Sequence, residues 1–273
     1  MSSEATVKRI HHYHADGSAL GGFIEQPAHK IVPSQAEASL PSAGGTTTSK
    51  KDHLDFDGIV SCSSSETHTS GSVSKKSGGW STLVISAVEK LNILNAVTAD
   101  RVVGQITIEH PQEGYTPKVT FVGSQFINLR IGGVLVEPVM NYKLLTPGED
   151  YPTTSWLKNK DFLDTIKQQA TDRTKDTAKP SWASEIFTDE DPTKGIDDKG
   201  YVLCSLVDKI DGKFPGEACG HVVDIPEVGK FFFGEVIVDH GSFRLTMIRA
   251  ELGCPVKGSL SMSVASNNGH TIP

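Results

Sequence analysis

Short runs in which apolar and polar residues alternate, punctuated by glycine and proline, recur along most of this chain and predict strands. The clearest lie near the C-terminus. Phe231-Phe232-Phe233-Gly234-Glu235-Val236-Ile237-Val238 and Phe243-Arg244-Leu245-Thr246-Met247-Ile248 flank Asp239-His240-Gly241-Ser242. β-branched and aromatic arms around an Asp/Gly turn predict a hairpin. After Gly253-Cys254-Pro255, Leu260, Met262 and Val264 alternate with Ser259, Ser261 and Ser263, which predicts a strand with one face in a core and a hydroxyl-bearing face in water. Upstream, Val102, Gly104, Ile106 and Ile108 alternate with Arg101, Val103, Gln105, Thr107 and Glu109. Pro111 ends that run, because proline has no N–H to give a ladder. Three further strand candidates, Lys118 to Val122, Phe126 to Ile131 and Val134 to Met140, are separated by Gly123-Ser124 and Gly132-Gly133. Trp80 to Leu94 fits two periods: Val84, Ala87, Val88 and Leu91 make a helical stripe, while Leu83, Ile85 and Ala87 alternate.

Two regions depart from this pattern. Residues 1–50 are rich in Gly, Ser, Thr and Pro, with one strand-like piece from Val7 to Tyr13 and a pliable stretch from Ser42 to Ser49. This composition predicts an extended N-terminal arm. Its scattered Ile10, Phe23, Ile24, Ile31 and Val32 predict docking along a sheet of this chain or of a neighbour. The second departure begins at Thr146-Pro147-Gly148, beyond which the chain becomes charged. Phe162, Leu163 and Ile166 recur at helical spacing behind Asp161, read as an N-cap, and a second short helix is expected from Pro180-Ser181. A polar loop from Thr188 to Gly200 follows, with Asp189, Glu190, Asp191, Asp197 and Asp198. Trp156 and Trp182 stand out in this polar setting, and anchoring onto the β core is their ordinary role. The expected architecture is mainly β, an antiparallel two-sheet sandwich: an arm over 1–50, the first part of the β domain over 51–148, a charged, partly helical insertion over 149–199, and completing strands over 200–273.

A chain of 273 residues can bury a self-sufficient core. Its net charge of −7 and sequence pI near 5.8 argue against binding nucleic acid through phosphate neutralisation. No apolar run approaches the roughly 20 residues a membrane helix needs, so no membrane insertion is expected. Cys62, Cys204, Cys219 and Cys254 form no C-x-x-C pair, which removes zinc-ribbon and thioredoxin-type readings. Met1 to His14 has no apolar h-region, so the expectation is a cytoplasmic protein with free thiols, leaderless export being the other route.

Leu91-Asn92-Ile93-Leu94-Asn95-Ala96-Val97-Thr98-Ala99-Asp100-Arg101-Val102-Val103, followed later by Asn128-Leu129-Arg130-Ile131-Gly132-Gly133, resembles bacterial β-rich proteins of the choice-of-anchor P type. The resemblance spans residues 55–135. It implies an all-β module of a kind often found on exported proteins with a sorting signal, without an established activity and with no catalytic residues to carry over.

The densest cluster of candidate chemistry is His11-His12-Tyr13-His14. On a strand, His12 and His14 share a face within reach of one divalent transition metal. Hydrogen bonds or inter-subunit contacts on an exposed arm are the plainer reading. In the acidic loop, Asp189-x-Asp191 resembles the opening of a calcium loop, but the sixth and twelfth positions are Lys194 and Gly200 where glycine and glutamate are needed. The Asp239-His240 pair is explained by turn chemistry. There is no G-x-S-x-G elbow, P-loop or dinucleotide fingerprint. The functional expectation is therefore a non-catalytic structural or interaction protein without a cofactor, forming homo-oligomers through strand addition or its N-terminal arm. The alternative is a metal-dependent hydrolase or cupin-like oxygenase using His12 and His14.

Overall fold

A computed structural model of the chain describes residues 9–75, 78–114, 116–145, 154–175, 179–187 and 191–272. The protein is mainly β, with two large antiparallel sheets facing one another and a small helical insertion. In the first sheet Val97–His110 pairs with Trp80–Ile93, which pairs with Ser64–Val73, and Gly45–Lys51 lies outermost. The second sheet runs in the order Glu217–Cys219, Val222–Ile225, Gly229–Asp239, Phe243–Leu252, Lys257–Asn267, Ala15–Gln26 and Lys30–Gln35. Tyr201–Ser205 pairs with the far half of Gly229–Asp239, Leu203 opposite Ile237.

Trp80 to Leu94 is resolved as the strand Trp80–Ile93. It is an interior strand of its sheet, where apolar positions are wanted on both faces, so its pattern satisfied two periods at once. The C-terminal hairpin is longer than its sequence pattern, Gly229–Asp239 and Phe243–Leu252. The expected Phe126 to Ile131 strand is divided into Gln125–Ile127 and Arg130–Ile131.

The segment expected to be an arm is woven into the fold. Ala15–Gln26 lies between Lys257–Asn267 and Lys30–Gln35 as an interior strand, and Ile10–His12 pairs with His270–Ile272; Val7 lies outside the described residues. Its docking is therefore in cis. The small residues that look pliable in the sequence are what close sheet contact requires. A Cβ on Gly17 would lie 2.9 Å from Thr67 Cγ2 and 3.0 Å from Val84 Cγ1 on the opposite sheet.

Hydroxyl groups bridge this narrow interface. Ser86 Oγ donates to the Ser18 carbonyl at 2.9 Å, and Ser263 Oγ donates to the Val102 carbonyl at 3.0 Å. Ser263 thus departs from the expected water-facing serine row. Its φ of +51° breaks the pleat, although Met262 and Val264 stay opposite Ile248 and Thr246. In the neighbouring strand the buried positions change parity at the same level, from Phe243, Leu245 and Met247 to Ile248, Ala250 and Leu252. The second face of that sheet thereby becomes available to the insertion.

The insertion's main helix is Lys160–Lys175. Its cap is Asn159, whose Oδ1 accepts the Phe162 N–H at 3.0 Å; Asp161, the expected cap, lies inside the first turn, where a carboxylate favours the helix dipole. Trp156 is buried, donates from Nε1 to the Pro117 carbonyl at 2.9 Å and meets Phe162 edge-on. Trp182 packs with Ala183, Cys219, Val222 and Phe232. Both tryptophans anchor the insertion, as their polar context predicted. Short helices Ala183–Ile186 and Ile196–Lys199 follow. The boundary at Thr146-Pro147-Gly148, and Asp189 and Glu190 of the acidic loop, lie outside the described residues. Among the described residues no helix is long and apolar enough to cross a membrane.

Candidate functional site

The N-terminal histidines divide between the two faces of their strand. His12 and His14 are exposed, His12 stacked on His270 at 5.6 Å and His14 bonded through Nδ1 to Asn268 Oδ1. His11 and Tyr13 point inward. The His11 ring lies 4.5 Å from that of His110, stacks on Trp80 at 5.3 Å, and binds Thr271 Oγ1 through Nδ1 at 3.1 Å. Burial, reinforced by repulsion from His270 and His12, lowers the His11 pKa to about 4. Burial and the charges of His11 and His270 lower that of His110 to about 3. Both imidazoles are neutral at pH 7. No group of three or more His, Cys, Asp and Glu side chains suited to a metal ion occurs among the described residues. The buried His110 and the exposed His270 come from distant strands, and no local spacing links them to His11.

Asp239 does turn work: its Oδ1 accepts the Gly241 and Ser242 N–H groups at 3.0 and 3.1 Å.

The richer chemistry lies where the insertion meets the second sheet. Gln169, on the buried side of the helix, donates from Nε2 to the Ser205 carbonyl and to Asp208 Oδ1, both at 2.8 Å. Ser205, fully buried, donates in turn to the Phe233 carbonyl at 3.0 Å. This ties the helix to the strand Tyr201–Ser205. One turn further along, Arg173 lies against Gly220, in the turn between Glu217–Cys219 and Val222–Ile225. A Cβ on Gly220, whose φ is +57°, would come within 2.8 Å of Arg173 Cδ, so glycine serves both the turn and the close approach.

Two cavities open on either side of Arg173. The larger, about 760 Å³, runs along the helix and is lined by Asp161, Asp164, Asp172, Asp208, Lys179 and Lys209, among others. The smaller, about 210 Å³, is enclosed by Ala170, Ile186, Phe187, Pro192, Leu203 and Phe232, with Arg173, Arg249, Glu235, His221 and Cys204 supplying its polar groups. In it Arg249 grips Glu235 with two nitrogens at 2.6 and 2.8 Å, and its guanidinium lies 3.7 Å from the centre of the Phe232 ring. Arg173 lies 4.9 Å from the centre of Phe187; desolvation by burial draws its pKa down. His221 is buried, edge-on to Phe187, and its Nδ1 has no hydrogen-bond partner. Burial, then the charges of Arg173 and Arg249, hold His221 well below the usual imidazole range. Burial pushes the Cys204 thiol up to about 12, so it is no nucleophile at neutral pH. None of these polar residues stands in a motif, and Trp156 and Trp182 were the sequence signals that marked this face.

An all-β sandwich whose helical insertion roofs polar cavities on one sheet is the class of protein defined here. Residues 11–239 match DUF8256, a domain of unknown function, and this span is most of the chain: the protein belongs to the DUF8256 family. No curated protein and no solved structure matches it. The matched span includes Arg173, His221 and Glu235 but ends before Arg249.

Proposed function

We propose that this protein is a non-catalytic interaction protein that associates with a second copy of itself through the edge strand Tyr201–Ser205. The observation that carries this reading is the exposed apolar character of that edge. Among the described residues the strand pairs with Gly229–Asp239 and with no strand on its other side. Tyr201 and Leu203 are 48% and 51% exposed, with Ile237 beside Leu203 at 37%. An unpaired edge with apolar side chains invites strand addition. A two-fold axis near Leu203 would set the strand beside its own copy, clear of Ser205, whose carbonyl Gln169 holds, and close the assembly as a dimer.

Other edges carry features that oppose pairing. Lys30–Gln35 contains Lys30 and Pro33, and Gly45–Lys51 ends in two lysines, devices that discourage edge-to-edge association. Light scattering tests the proposal, with a dimer mass expected for the native chain. In Leu203→Lys two ammonium groups would oppose each other at the axis, and a monomer mass with an unchanged far-UV circular dichroism spectrum is expected. A native chain that stays monomeric across the micromolar range would refute it. Stoichiometric zinc, iron or manganese in untagged protein, lost in His12→Ala, would favour the metal-dependent alternative instead.

A further inference from the structure

We infer that the smaller cavity beneath the insertion is a binding site for a small carboxylate with a short apolar or aromatic body. The charge balance indicates the sign. Of the two guanidinium groups lining the cavity, Arg249 is already neutralised by its two-pronged pairing with Glu235. Arg173 has no carboxylate within ion-pairing distance among the described residues; Asp208, whose charge it feels, accepts from Gln169 and Asn141 and lines the larger cavity. An unpaired guanidinium drawn out of water is costly, and a bound anion relieves that cost.

The neighbouring groups narrow the chemistry. His221 lines the same cavity with Nδ1 unpartnered. That nitrogen is closed off from solvent, so Arg173 is the group that holds the carboxylate, with the imidazole packed beside it. The remaining walls, Ala170, Ile186, Phe187, Pro192, Leu203 and Phe232, suit an apolar body. At about 210 Å³ the cavity takes a small acid rather than a nucleotide or a peptide. A phosphate ester is the poorer fit, because a dianion would meet one free guanidinium and an otherwise apolar wall.

The site does not require self-association, since ligand occupancy and molecular mass are read separately. The test uses the full chain and ligand-observed NMR with benzoate, phenylacetate, phenyl phosphate and phenethylamine. Saturable binding of the two carboxylates at millimolar concentration is expected, with phenyl phosphate weaker and the amine unbound. Arg173→Gln should weaken phenylacetate binding by about tenfold or more, the loss of one charge-assisted contact. Ala170→Phe, which fills the cavity and keeps the Arg173 and His221 side chains, should abolish it. If Arg173→Gln does not fold, Ala170→Phe decides. Absence of saturable carboxylate binding, equal binding of the amine, or binding that survives Ala170→Phe would overturn the inference.

Discussion

The second sheet meets two different environments on its two faces, and the contrast separates scaffold from chemistry. Towards the first sheet it offers glycine and serine: Gly17 allows near-contact, as Gly104 does from the facing strand Val97–His110, while Ser263 donates to a carbonyl across the gap. Such an interface is neutral and leaves no room for a ligand. Towards the insertion it offers Phe232, Glu235, Arg249 and, from a turn, His221, met by Arg173 and Phe187, with space between them. Close packing over-determines the first face and steadies the second, the arrangement in which a rigid sheet presents groups carried by connecting segments.

Acid should expose the cost of the scaffold's buried histidines first. His11 and His110 titrate at about 4 and about 3 in the folded chain, against a usual value of 6.5. Their folded pKa values are depressed, so the unfolded chain takes up protons first as pH falls below 6.5, and stability declines down towards the folded values. Between pH 6.5 and pH 5 the loss should be about 2 kcal/mol for each histidine. Urea unfolding at both pH values measures it, and His110→Phe should remove about a third of the loss, because His221 is held low as well.

Gly104→Ala tests the close approach of the sheets. Its Cβ would lie 2.6 Å from the Ser263 carbonyl oxygen, a backbone atom that cannot rotate away, and a loss of about 3 kcal/mol is expected. Chemical denaturation checks it. Equal stability would mean that the sheets can part freely, and the contrast with the cavity face would collapse.

On the insertion face the corresponding change is smaller. Glu235→Gln leaves Arg249 with Glu251, a more exposed partner, and should cost about 2 kcal/mol in thermal or chemical unfolding. The smallest effect belongs to the helix cap. Asn159→Ala removes the acceptor for the Phe162 N–H and should cost about 1 kcal/mol. Hydrogen exchange should place that loss in Lys160–Lys175 and spare the sandwich.

The sequence disclosed the β class because Val102 to Ile108 and Leu260 to Met262 carry a period of two, and it disclosed the insertion because the chain turns charged beyond Thr146-Pro147-Gly148 with Phe162, Leu163 and Ile166 at helical spacing. Ala15–Gln26 was harder to recognise: small residues that let sheets approach have the composition of a loop. The parity change at Met247 and Ile248 could not be read from the pattern, because it depends on a left-handed residue, Ser263, in the next strand. The cavity groups were hidden for a related reason. Arg173, His221, Glu235 and Arg249 come from a helix, a turn and two strands, and only the docking of the insertion brings them together. The buried histidine pair, His11 with His110, likewise exists only after the two sheets close.

The claim that the insertion side of the second sheet is the functional side, acting through an edge that pairs with a second copy, is tested most directly by hydrogen exchange as a function of protein concentration. The amides of Tyr201–Ser205 should become more protected as concentration rises through the dimerisation range, while those of the lysine-bearing edge Gly45–Lys51 should not change. Protection at Tyr201–Ser205 that stays constant over that range, or that rises at Gly45–Lys51 instead, would contradict it.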